Sequence, residues 1–221
     1  MIFGNPDTIA IEIGELVCYR VRNRKLLVFR ADSADGRWFL DLEQSDCNQS
    51  VKDGDQERWE FCKPEQISKT IHVQFRFIFF GQYIGEWDDR FPLTQSFVRM
   101  KEFLDISAFQ RDDSLRGVDC KTFFDKTFTA FYETDYTIRP WLEPDPNLRD
   151  RYHLSEVGGD SICDLYGIVV AGISAETSRI VVKDFRREEI WIDREFKTGE
   201  IEKMGRPFVE WAGPRCPEAW F

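Results

Sequence analysis

The chain has 221 residues, of which 42% are hydrophobic and 15% aromatic, so it can bury a core without disulfides or a metal ion. Thirty basic and 40 acidic side chains give a net charge of −10, which argues against a general nucleic-acid binder because phosphates are repelled. The six cysteines form no CxxC pair and no apolar run approaches ~18 residues, so we expect no zinc site, no cofactor and no membrane span.

The N-terminal segment has no basic stretch followed by an apolar run, so we expect no secretory signal. A cytoplasmic protein with reduced cysteines is the resulting prediction. The negative charge has two interpretations. It keeps a cytoplasmic protein soluble, or it steers a basic partner toward the chain and raises the encounter rate.

The first predicted elements are strands. Alternation of apolar and polar or small residues over 9–21 predicts one or two strands with the odd-numbered face in the core. Two further apolar runs, 26–30 and 37–42, are separated by a segment ending in Asp35-Gly36, which predicts a hairpin because Gly36 can take a positive φ. The inward-facing residues of the first run are predicted to be Ile9, Ile11, Ile13, Val17, Tyr19 and Val21.

Residues 43–65 carry seven acids and three bases and predict an acidic surface excursion. The clearest strand of the chain follows at 71–79, where period-two alternation runs over nine residues. Its polar face carries His72, Gln74 and Arg76 and must meet solvent, a partner or a lightly covered layer. The predicted core face consists of Ile71, Val73, Phe75, Phe77 and Phe79.

Two later segments have helical spacing. Thr94 is predicted to cap a helix whose inner face carries Phe97, Met100 and Leu104. Residues 121–132 are ambiguous, because the spacing of their phenylalanines suits a helix whereas their threonine and aromatic content favours a strand. We favour the helix.

The remaining chain predicts a loop and then a return to strands. Three prolines within the polar stretch around 139–151 predict a surface loop. Four short strands then follow in a predicted antiparallel meander, at 167–173, 179–184, 189–194 and 200–204. The fold class is therefore predicted to be α+β: one domain spanning 1–221, with a largely antiparallel sheet and one or two packed helices. The final aromatic residues, Trp220 and Phe221, either pack back on this domain or form a docking tail.

No motif in the chain matches a known catalytic pattern. His72 and His153 are the only histidines available as a general base, and no serine lies in a Gly-x-Ser-x-Gly elbow. Gly158-Gly159 is flanked by acids, which is the wrong charge for a phosphate cradle, so a tight turn with positive φ is predicted there. His153 is expected to support that turn.

Two acidic doublets are the candidate site residues. Asp88 and Asp89 follow Glu86 and Trp87, and Asp112 lies beside Asp113. Adjacent carboxylates point apart, so acid–base catalysis would need a second acid from elsewhere. Acids beside a tryptophan also suit an interface with a basic partner. Solvated surface, a hydrolase site and a binding surface thus all stay open.

Two segments carry a resemblance to a known family. The opening "MIFGNP" and the later "LSEVGGDS", followed by "RIVVKD" and "EEIWIDREFKTGEIEKM", resemble the forty-second immunity-protein family of bacterial polymorphic-toxin systems. Position 5 is Asn where that family usually has Asp, and both residues serve a turn before Pro6. Residues 43–150 show no such resemblance.

The resemblance implies a cytoplasmic α+β binding protein without enzymatic activity, which neutralises the C-terminal domain of a cognate toxin by stoichiometric inhibition. The net charge suggests a basic toxin such as a nuclease. Glu86, Trp87, Asp88, Asp89, Asp112 and Asp113 are the candidate toxin-binding residues. A hydrolase with a carboxylate site and a generic interaction module are the alternatives.

Overall fold

The structure is a computed structural model, and it describes residues 1–22, 25–31, 38–44, 71–106, 111–132 and 152–216. The predicted Asp35-Gly36 turn, the Pro-rich loop at 139–151 and the final aromatic pair lie outside the described residues, as does most of the acidic stretch 43–65.

The described residues form ten strands and four α-helices. The strands are β1 (Ile2–Asn5), β2 (Ile9–Arg22), β3 (Lys25–Ala31), β4 (Trp38–Gln44), β5 (Ile71–Phe79), β6 (Gln82–Ile84), β7 (Arg90–Pro92), β8 (Tyr166–Gly172), β9 (Thr177–Asp184) and β10 (Glu189–Lys197). The helices are α1 (Leu93–Asp105), α2 (Cys120–Tyr132), α3 (Asp160–Leu165) and α4 (Glu200–Ala212). No helix among these is long and apolar enough to cross a membrane.

The strands form two antiparallel sheets. The seven-stranded sheet has the order β4-β3-β2-β5-β6, with β1 paired to β2 and β7 paired to β5. The three-stranded sheet is the meander β10-β9-β8. Every pair of named strands is antiparallel, so the predicted α+β class with largely antiparallel pairing is confirmed.

The phenylalanines of β5 lie at the centre of the main core. Phe75, Phe77 and Phe79 are each at most 1% exposed, as the predicted alternation requires. The Phe75 and Phe77 rings meet edge to face at 5.0 Å, and Phe208 of α4 lies 6.1 Å from Phe75. Such aromatic contacts stabilise a core beyond the burial of area. Helices α1 and α4 cover this face of the first sheet.

A β-bulge in β2 changes which residues face the core. The register of β2 against β5 shifts between Ile13 and Leu16. Leu16 therefore joins the same core cluster as Ile13, and Val17 is buried outside that cluster. The predicted continuation of the odd-numbered face through Val17 is wrong, because an extra residue in one strand reverses the alternation.

The last element differs from its prediction. Residues 200–204 were predicted as a strand, and they are the first turns of helix α4. Its inner face carries Ile201, Met204, Phe208 and Ala212, spaced by three or four residues, all buried. This helical spacing is present in the sequence, but the short connection after the previous strand favoured a further strand of the meander.

The other two predicted helices are present. Helix α1 has the predicted core residues, but Pro92 and not Thr94 occupies its N-cap, and no side chain caps it. Residues 120–132 form helix α2, which confirms the favoured alternative for that segment.

A buried arginine ties α2 to the second sheet. Arg179 of β9 is 7% exposed and donates two hydrogen bonds of 2.7 Å to the carboxylate of Asp193 on β10. It also donates to the backbone oxygen of Val118 and lies over the Phe123 ring at 4.8 Å. The hydrogen bond to Asp193 raises the pKa of Arg179, so its charge is retained.

We expect Asp193→Asn to lower the free energy of unfolding by about 1–2 kcal/mol, since it leaves the buried guanidinium without its counter-charge. The loss is smaller than for a fully buried pair because the Asp193 side chain is 33% exposed. Chemical denaturation measures it. Asp113→Asn is the matched control, because it breaks another two-pronged Arg–Asp pair at an exposed site, and its denaturation midpoint should not move. Equal effects of the two variants would contradict this role for Arg179.

Candidate functional site

The Glu86–Asp89 group lies on the loop between β6 and β7, and Trp87 is held against the bulge of β2. A Cβ atom at Gly14 would lie 2.5 Å from the Trp87 ring, so only glycine leaves room for the indole there. The side-chain oxygen of Gln74 accepts a hydrogen bond from the backbone of Glu15 in the same bulge. The bulge that reverses the core face of β2 thus also seats Trp87.

Arg76 organises the aromatic side chains beside this loop. It lies on the polar face of β5, and its guanidinium stacks over the Tyr83 ring at 3.8 Å and the Trp87 ring at 4.3 Å. Glu12 of β2, opposite Arg76 across the sheet, accepts a 2.6 Å ion-paired hydrogen bond from it. Cation–π contacts of this kind contribute about 0.5–1 kcal/mol each at exposed sites. The four side chains form a connected, ordered group on the outer face of the first sheet.

The arginines around this group are paired with acids. Glu86 lies 3.4 Å from Arg186, which belongs to the turn between β9 and β10. Arg90 lies 2.8 Å from Glu15. No side-chain partner of Asp88 or Asp89 is found among the described residues. These two carboxylates therefore carry the uncompensated negative charge of the loop.

The second predicted doublet is engaged locally. The Asp112 carboxylate accepts a 2.9 Å hydrogen bond from the backbone of Ser114 and caps a short 3₁₀ helix. Asp113 accepts two 2.8 Å hydrogen bonds from Arg111, and this pairing holds the pKa of Asp113 below its usual value. Both carboxylates have a structural explanation, whereas Asp88 and Asp89 do not.

The two doublets lie at opposite ends of the second sheet. Glu86 contacts Arg186, which lies in the turn that follows Asp184. Asp184 pairs with Tyr166, the first residue of β8. The backbone of Asp112 donates to Gly172, the last residue of β8. Six residues of strand separate these points, or roughly 20 Å at about 3.3 Å each. Paired catalytic carboxylates lie about 5–9.5 Å apart, so the two doublets do not form one acid–base site.

The structure contains a serine–histidine pair, and it is in the core. His153 Nδ1 lies 3.0 Å from Ser155 Oγ, at the start of the 3₁₀ helix that leads to the predicted turn at Gly159, whose φ is 75°. The two residues are 4% and 1% exposed. Burial lowers the pKa of His153 to about 4. The pair is closed to substrate, so it has a structural role beside the Phe128 ring.

Sequence reasoning did not select Tyr83 and Arg76. Tyr83 is 51% exposed, which is a high value for a large, mostly apolar side chain. The signal for Arg76 was present, because the alternation in β5 placed it on the face away from the core. No sequence pattern indicates that Tyr83 and Trp87 both stack on its guanidinium.

In the part of the chain that the structure describes, no three His, Cys, Asp or Glu side chains converge in a way that could hold a metal ion.

Comparison with known proteins gives a structural match. No protein-family model and no curated protein sequence matches the chain. Among solved structures, the fold is similar to that of CdiI from Burkholderia dolosa AUO158, with a TM-score of 0.52 and 12% sequence identity. The match covers 95% of this chain and 99% of that one. The two chains thus share a fold over nearly their whole lengths, at an identity too low to transfer residues.

The buried histidine predicts a loss of stability in acid. Since the pKa of His153 is about 4 when folded and about 6.5 when unfolded, the unfolded chain binds the proton first as the pH falls. We expect His153 to lower the free energy of unfolding by about 2 kcal/mol as the pH falls from about 7 to about 4.5, since one pKa unit corresponds to about 1.4 kcal/mol. Denaturation of His153→Gln at both pH values is the comparison, and an unchanged pH dependence in that variant would refute the assignment.

The packing of Trp87 against Gly14 is testable with a double-mutant cycle. Gly14→Ala should lower the free energy of unfolding by about 1–3 kcal/mol, since the added methyl group overlaps the indole. In a Trp87→Ala background part of this cost should disappear because the overlapping ring is gone, while the Gln74 side-chain oxygen, 2.6 Å from the added methyl group, still has to move. Urea denaturation of the four proteins measures the coupling. Additive effects would show that Trp87 does not pack on Gly14.

Proposed function

We propose that the chain is an immunity protein, which binds the C-terminal domain of a cognate toxin and inhibits it in a stoichiometric complex. The observation that carries this proposal is the fold shared with CdiI, a contact-dependent inhibition immunity protein, over 95% of this chain and 99% of that one. The resemblance of "MIFGNP" and "LSEVGGDS" to an immunity-protein family supports the same function from the sequence.

The electrostatics support a basic target, for which a nuclease toxin is the proposed example. A net charge of −10 raises the rate of encounter with a positively charged protein and disfavours competition by nucleic acid. In this proposal the chain acts in the cytoplasm by masking the active site or the substrate-binding surface of the toxin, and it has no enzymatic activity of its own.

No observation favours the alternative of a carboxylate hydrolase. The candidate carboxylates Asp88 and Asp112 are separated by the length of β8, and Asp112 caps a 3₁₀ helix. The serine–histidine pair is buried. By contrast, the exposed side chains of the Glu86–Asp89 loop can contact a partner in the positions that they already occupy.

Co-expression tests the proposal. The proposal predicts that a gene for a large secreted protein lies beside this one. The C-terminal domain of that protein should stop bacterial growth, and co-expression of this chain should restore growth. The two purified proteins should elute together in size-exclusion chromatography. A copy of the gene with an early stop codon is the control, because it keeps the transcript and removes the protein. Growth arrest that persists, with no complex on the column, would contradict the immunity function.

A further inference from the structure

We infer that the outer face of the first sheet around Tyr83 and Trp87 is the surface that docks a basic protein. The inference rests on the proposed immunity function, and it assigns the site and the chemistry of the partner. The docking surface is defined by Tyr83, Trp87, Asp88 and Asp89, with Ile2 at its margin.

The apolar part of the docking surface is exposed and ordered. Tyr83 is 51% exposed, and Ile2 is 47% exposed. Ile2 pairs with Glu12, which pairs with Arg76, so these three residues form one row across the outer face of the sheet. Tyr83 reaches the same row through its contact with the Arg76 guanidinium. Ile2 and Tyr83, both exposed large apolar side chains, therefore share one face.

Arg76 removes much of the entropic cost of using these aromatic residues for binding. A free tyrosine must lose rotamer freedom when a partner covers it, whereas Tyr83 and Trp87 are already stacked on a guanidinium that Glu12 holds. Preorganised aromatic side chains of this kind dominate the energy of many protein interfaces. Arg76 acts as a positioning residue here, since its guanidinium stacks on both rings and limits their movement.

The charge beside the rings selects the partner. Arg76 and Arg186 each pair with a glutamate, and Arg90 shares Glu15 with Arg30, so most of the positive charge near the surface is offset. Asp88 and Asp89 have no such partner among the described residues, and Asp88 is exposed. Lysine or arginine side chains at the edge of a partner complement these two carboxylates, while an apolar centre covers Tyr83. The occupant is therefore a basic face of a folded protein, which for an immunity protein is the toxin domain.

Surface plasmon resonance with the full chain and the neighbouring toxin domain tests the inference. Tyr83→Ala should weaken binding at least about 30-fold, mainly through faster dissociation, as for a central aromatic contact. Tyr83→Phe should restore most of the affinity because it keeps the ring. Asp88→Asn with Asp89→Asn should slow association about three- to tenfold and reduce its dependence on salt.

The matched control removes the same charge elsewhere. Glu176→Gln with Glu195→Gln changes two exposed acids at the opposite end of the second sheet and should leave both rate constants within twofold. Thermal melting of each variant confirms that it is folded. If the wild-type chain binds the toxin domain and the Tyr83→Ala and Asp88→Asn/Asp89→Asn variants bind it equally well, the inferred docking surface is wrong. The immunity function would not be affected by that result. A wild-type chain that does not bind the toxin domain would overturn both.

Discussion

Burial of alternate phenylalanines in β5 is the constraint on which the rest of the structure depends. Because side chains on a strand alternate between faces, packing Phe75, Phe77 and Phe79 under the helices leaves Arg76 on the outer face. A one-residue slip of β5 would place the guanidinium in the core and the phenyl rings in solvent. The core therefore fixes the position of Arg76, the cation that stacks on Tyr83 and Trp87. Stability and the candidate site are set by the same register.

The bulge in β2 extends this coupling to a second strand. An extra residue near Gly14 reverses the alternation, so Ile13 and Leu16 both reach the core. The same irregularity places a glycine where the Trp87 ring needs space. Bulges commonly re-aim side chains near functional surfaces. In this sheet the bulge fits the indole into the surface, while the paired β5 supplies the arginine on which it stacks.

Local sequence patterns predicted the secondary-structure elements better than the contacts between these elements. Period-two alternation located β5, and helical spacing located α1 and α2, because both signals lie within a dozen residues. Helix α4 was missed although Ile201, Met204 and Phe208 have helical spacing, since the meander before it favoured another strand. The bulge was missed because the alternation on either side of it looks continuous. Partners far apart in sequence, such as Glu86 and Arg186, follow from the tertiary fold and have no local signal.

The acidic doublets show why composition alone does not locate a site. Asp88-Asp89 and Asp112-Asp113 are equivalent in sequence, yet only the second is engaged by a cap and a paired arginine. A carboxylate that is already hydrogen-bonded has less to gain from a basic partner, because the partner must replace contacts that exist in the free protein. A carboxylate without such contacts gives its full charge to the encounter. The separation of the doublets along β8 thus also separates a structural use of acid from the proposed use in binding, and the ordered aromatic rings lie beside the doublet that is proposed to bind.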